Sequence, residues 1–305
     1  HPSRPQLPRS GFVQQIAVAN FATSWLRASL HVRENMKKTT SSSLILIFTL
    51  LGFMNAEILE TQSGYSITYE SGLEQDATYI EESIEYAIEK IDTSFPFWNP
   101  RERIKAIELE VILHPKGNTI QGFGAVIRPG FTMINNGYSD GIYKAKLNVC
   151  TPSHITKEDL TSMRNPMDRK YHNQLMIHEL FTVITDQITK EKKEGWHIYS
   201  APNWFIQGLE QYVALSITED DEEIKDYIRA VQNKPSIIQT DFGLEVTQDY
   251  TGGTVLLAFI CRDGNQIIKE ILESTEPTFS KTIRVVLDTD FPAFVSEFQA
   301  WMNEQ

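Results

Sequence analysis

From Asp168 to Lys190 the apolar residues Leu175, Met176, Ile177, Leu180, Val183, Ile184 and Ile188 recur at helical spacing. The pattern predicts one long helix with a buried stripe. A second helix is expected directly after it, with Pro202 in the first turn, where proline is tolerated, and an end near Ile217. Thr218 then reads as the cap of a helix whose first turn is Glu219 to Glu223. That acidic run lacks the turn glycine and alternating ligands of a calcium loop, so it reads as acids favoured by the helix dipole. Further helices are expected over 251–261, 265–274, 279–287 and 291–303.

The first half carries a different period. Tyr65 to Tyr69 alternates and predicts a strand, as does Ile104 to Leu113, with Ile107, Leu109, Val111 and Leu113 on one face. Between them, Asp76 to Ile91 is amphipathic at helical spacing, through Tyr79, Ile80, Ile84, Ala87 and Ile91. Gly122 to Cys150 predicts one or two further strands, with turns at Arg128-Pro129-Gly130 and Asn135-Asn136-Gly137. The expected class is α+β: a small mixed β-sheet with one helix (57–166), followed by a mainly helical half (167–305).

The first 56 residues stand apart. Met36 opens a signal-peptide pattern: Lys37 and Lys38, an apolar run from Leu44 to Phe53, and Ala56 at the expected cut. The run is shorter than the ~20 residues that span a bilayer. Residues 36–56 therefore read as a signal peptide and 1–35 as sequence upstream of the true start. A buried N-terminal helix is the other reading of the apolar run. Setting 1–56 aside removes 6 basic residues and 1 acidic residue from a chain of net charge −12. It leaves 22 basic and 39 acidic residues, a charge of −17. So acidic a chain, with no basic stripe, is not expected to bind nucleic acid or anionic membranes. The expected location is secreted or periplasmic. Cys150 and Cys261 would then meet an oxidising compartment, either as a disulfide or as two buried thiols.

The chemistry lies on the two central helices. His178-Glu179-Leu180-Phe181-Thr182 has the outline of H-E-x-x-H, in which two histidines one turn apart clamp zinc and the glutamate acts on the bound water. Ala201 to Ala214 reads APNWFIQGLEQYVA. Together these segments resemble the gluzincin metallopeptidases, in particular the peptidase MA-like group. Pro202, Trp204, Gly208 and Tyr212 match the second helix of that group. Tyr250-x-x-Gly253, Asp263 to Leu272 and Phe291 to Met302 are similar to its C-terminal helices, giving a resemblance over about 58–303. The resemblance implies zinc, a peptide cleft, Glu179 as general base, and Tyr250 as a candidate oxyanion donor.

The ligand positions depart from that pattern. The family's two histidines and one glutamate are His178, Thr182 and Gln207 here, and its small alanine is Glu210. A hydroxyl and a neutral amide are poor zinc ligands. His172 falls on another helix face. Asp186 lies ~12 Å further along the same stripe as His178, too far to share an ion. Glu210 and His197 are the residues that would complete an unconventional site. Trp196, Trp204, Phe205 and Tyr212 read as core. The expected function is a secreted, catalytically degenerate metallopeptidase with a peptide- or protein-binding cleft, and with zinc absent or weakly held. The alternatives are an active zinc hydrolase with an unconventional site, and a structural extracytoplasmic protein.

Overall fold

The computed structural model describes residues 56–120, 126–127, 132–155, 169–233, 237–240, 243–246 and 249–305. The chain divides into two compact units, 1–56 and 57–305, and the second carries the architecture below. It is α+β, as the two sequence periods require.

The sheet has the order β1-β2-β3-β5-β4. Its strands are β1 (Ala56–Glu60), β2 (Ser66–Glu70), β3 (Glu108–His114), β4 (Thr132–Ser139) and β5 (Ile142–Cys150). β2, β3 and β5 run parallel, and β4 returns antiparallel along β5. Ile67, Leu109, Val111, Ala145, Leu147 and Val149 point into the core. The alternate residues face outward, where Lys144 pairs with Glu108 at 2.7 Å and Lys146 with Glu110 at 2.9 Å. One apolar and one charged face is what strict alternation produces.

Helices cover the apolar face. α1 (Glu74–Ser94) buries Ile80, Ile84, Ala87, Ile88 and Ile91. The short α2 (Pro100–Lys105) precedes β3. The expected strand at 104–113 therefore starts four residues late. Pro100 opens a helical turn after the left-handed Asn99, and Ile104 is buried from that turn. The turn expected at Asn135-Asn136-Gly137 is also absent. β4 runs straight through it, pairing Asn136 with Ala145 and Gly137 with Lys144. The chain reverses instead at Asp140-Gly141, with φ of 53° and 79°, the positive-φ pair that a two-residue hairpin demands. The turn expected at 128–130 lies outside the described residues.

The helical half begins with α3 (Arg169–Glu191) and α4 (Asn203–Ile217). α5 (Asp221–Asn233), a hairpin of β6 (Ile237–Thr240) and β7 (Gly243–Val246), and α6 (Asp249–Ile260) follow. α7 (Gln266–Glu273), α8 (Phe279–Leu287) and α9 (Phe291–Glu304) complete the chain. Thr218 does not cap α5. Its hydroxyl donates back to Ala214 and closes α4, and Glu219 turns the chain with φ of 56°. Trp196, Trp204, Phe205 and Tyr212 are buried, and the first three ring Phe279. One large hydrophobic core joins both halves, and Ile120, Ile127, Cys150 and Ile155 form a second, smaller cluster. Cys150 and Cys261 are buried free thiols. Among the described residues, no helix is long and apolar enough to cross a membrane.

Candidate functional site

The site starts from two glycines. A Cβ on Gly208 of α4 would stand 2.4 Å from the Gly253 carbonyl carbon, and one on Gly253 would stand 2.1 Å from the Trp204 oxygen. Only glycine at both places lets α4 and α6 touch backbone to backbone. That approach brings the first turn of α6 to α3, where the half-exposed ring of Tyr250 stacks on His178 at 6.0 Å and 18°.

His178 is buried and faces α4. Its Nε2 lies 3.3 Å from Glu210 Oε2. Gln207, three residues earlier and so on the same helix face, donates its amide to that same oxygen at 3.4 Å. Burial works against a charged imidazole here. It is outweighed by the hydrogen bond and charge of Glu210, with smaller help from Glu179 and Gln211, so the His178 pKa is raised. Glu179 is buried beside it. Thr182, on the same helix face, donates its hydroxyl to the His178 carbonyl at 3.1 Å. The three ligand-position residues therefore do not form a ligand set. His178 and Gln207 meet through Glu210, and Thr182 is committed to backbone.

His172 and His197 lie elsewhere. His172 is buried edge-on against Tyr79 and Tyr171. His197 approaches Asp186, not His178, with Nε2 3.7 Å from Oδ1. Asp186, wholly buried, belongs to a separate polar cluster with Tyr143 and Lys190.

These residues fit a catalytic zinc poorly. Such an ion takes three protein ligands and keeps one open position. Here the imidazole and the Glu210 carboxylate hold each other, and the Gln207 NH2 donates to that carboxylate. Among the described residues, no three His, Cys, Asp or Glu side chains converge for a metal. Spacing in the sequence puts Gln207 and Glu210 on one face of α4, but it did not signal that Glu210 reaches His178. The Asp186 cluster was half-signalled, since Lys190 is one turn on, but its partner from the sheet was not. No protein-family model matches this sequence, and no curated protein matches it.

Proposed function

We propose that this chain is an exported protein of gluzincin type whose peptidase chemistry has been lost and whose cleft binds peptides. The observation that carries this reading is the His178–Glu210 pair at 3.3 Å. Two helices with peptidase-like motifs meet at the first ligand position, and a carboxylate from the chain itself engages the imidazole. Glu179 keeps the general-base position without a polarised water to act on. The outer edge of β4 supports the binding part. No strand pairs with it among the described residues, and Asn136 of β4 reaches Asp186 of α3 at 3.2 Å. An extended peptide can add to such an edge as a further strand.

One observation favours a working hydrolase. Two ligands of a tetrahedral zinc, each at ~2.0–2.1 Å, lie about 3.3–3.4 Å apart, and His178 and Glu210 have that separation. Metal analysis of the purified chain, with peptide hydrolysis measured with and without chelator, separates the readings. The degenerate reading expects no retained zinc, background hydrolysis, and saturable binding of a casein-derived peptide mixture. Stoichiometric zinc with chelator-sensitive hydrolysis would establish the hydrolase instead, and no peptide binding would leave a structural protein. Thr182→His and Gln207→Glu should restore zinc only when Glu210→Ala is added, because Glu210 otherwise keeps His178 engaged.

A further inference from the structure

Two turns beyond His178, Asp186 is fully buried and its two oxygens are unequally used. Oδ2 accepts from the Tyr143 hydroxyl, from Asn136 Nδ2 at 3.2 Å and from Lys190 Nζ at 2.6 Å. Oδ1 accepts no hydrogen bond among the described residues. A buried carboxylate oxygen left without a donor is costly, so it marks a place where a donor belongs. His197 Nε2 lies 3.7 Å from it, and it too has no hydrogen-bond partner among the described residues.

The character of the missing donor follows from what surrounds it. The Ser200 backbone N–H donates to the His197 carbonyl at 2.8 Å, a bond that does not involve the His197 ring. Lys190 shows what the place does take. Its ammonium lies on Asp186, 5.4 Å from the centre of the Tyr143 ring and 5.8 Å from that of Tyr199. A carboxylate flanked by two aromatic faces is a seat for an alkylammonium group. The cover over it is light. Tyr199 is half-exposed and is held to β4 by its hydroxyl on Asn136 Oδ1, at 2.9 Å. Lys190 stands one residue from the end of α3, on a flexible four-carbon stem.

We propose that Asp186, Tyr143 and Tyr199 form a binding seat for a primary ammonium group of a ligand, which Lys190 occupies in the resting state and yields to it. The inference does not depend on the peptide-cleft reading, since the seat and its resident cation are described without it.

Removing the resident cation tests the seat. In Lys190→Ala, millimolar n-butylammonium should raise the melting temperature saturably, while n-butanol and potassium should not. Adding Asp186→Asn should abolish the effect. If Lys190→Ala does not fold, Lys190→Gln, which keeps the stem without the charge, takes its place. For the wild type, N-acetyl-lysine N-methylamide should bind at least about tenfold more tightly than its norleucine counterpart, and Asp186→Asn should erase the difference. A folded Lys190 variant indifferent to n-butylammonium would overturn the proposal. So would rescue of that variant with no lysine preference in the wild type, which would make Lys190 a fixed structural cation.

Discussion

An imidazole buried against a carboxylate keeps its proton to higher pH than one in water, provided the carboxylate outweighs desolvation. At His178 it does, and the raised pKa fixes a sign. In the unfolded chain the group titrates near 6.5. The stabilisation is therefore fully present below that pH and is lost as pH rises through the higher folded pKa. The His178 ring resonance, followed by NMR, should show a midpoint above 6.5. In Glu210→Gln, burial is left with only the smaller contributions of Glu179 and Gln211 against it, so the midpoint should drop below 6.5 and stability near pH 6 should fall. A midpoint unmoved by Glu210→Gln would mean that the 3.3 Å contact carries no charge coupling. At this scale the sequence is informative about faces and silent about reach. Spacing alone puts Gln207 and Glu210 on one side of α4. That Glu210, not Gln207, arrives at His178 depends on the distance between two helix axes, which no local pattern encodes.

That distance is set between elements. The crossing of α4 and α6 has no side chain in it, because Gly208 and Gly253 face one another. Gly208→Ala would put a methyl group 2.4 Å from the Gly253 carbonyl carbon. Backbone on both sides cannot step aside as a flexible side chain would. Over-packing of this kind costs ~1–3 kcal/mol. The expected outcome is a loss of that order in guanidinium unfolding, together with a lower His178 midpoint as α4 is pushed off α3. Unchanged stability in Gly208→Ala would show that the helices do not touch there. Elements with a long, clean period were readable: α1, α3, α4 and α6 to α9 stand within a few residues of their expected places. Local turn chemistry misled where tertiary contacts outvote it. Asn135-Asn136-Gly137 looks like a reversal, yet the Asn136 amide is drawn to Tyr143 and Asp186 and the strand continues. The β6–β7 hairpin carried no recognised signal.

At the scale of the whole molecule, residues 57–305 are the second compact unit. The second unit buries Trp98, Trp196 and Trp204 in a core whose members all come from residue 65 onward. Only Ala56 of β1 lies outside it. A chain that begins at Glu57 should therefore keep its sheet and helices and unfold in one cooperative step, followed by tryptophan fluorescence, at the same denaturant midpoint as the full chain. The thiols give an independent reading of the same unit, Cys261 from the main core and Cys150 from a smaller cluster with Ile120, Ile127 and Ile155. Burial pushes the Cys261 thiol up to about 12, against a smaller opposing pull from a hydrogen bond with Tyr212. Cys150 is buried as well. Both should resist a thiol reagent at pH 8 and react together only as the protein unfolds, with or without prior reductant, because no disulfide links them. A lower midpoint for the shorter chain would mean that 57–305 does not fold independently, and early reaction of Cys261 would mean that its core opens before the rest unfolds.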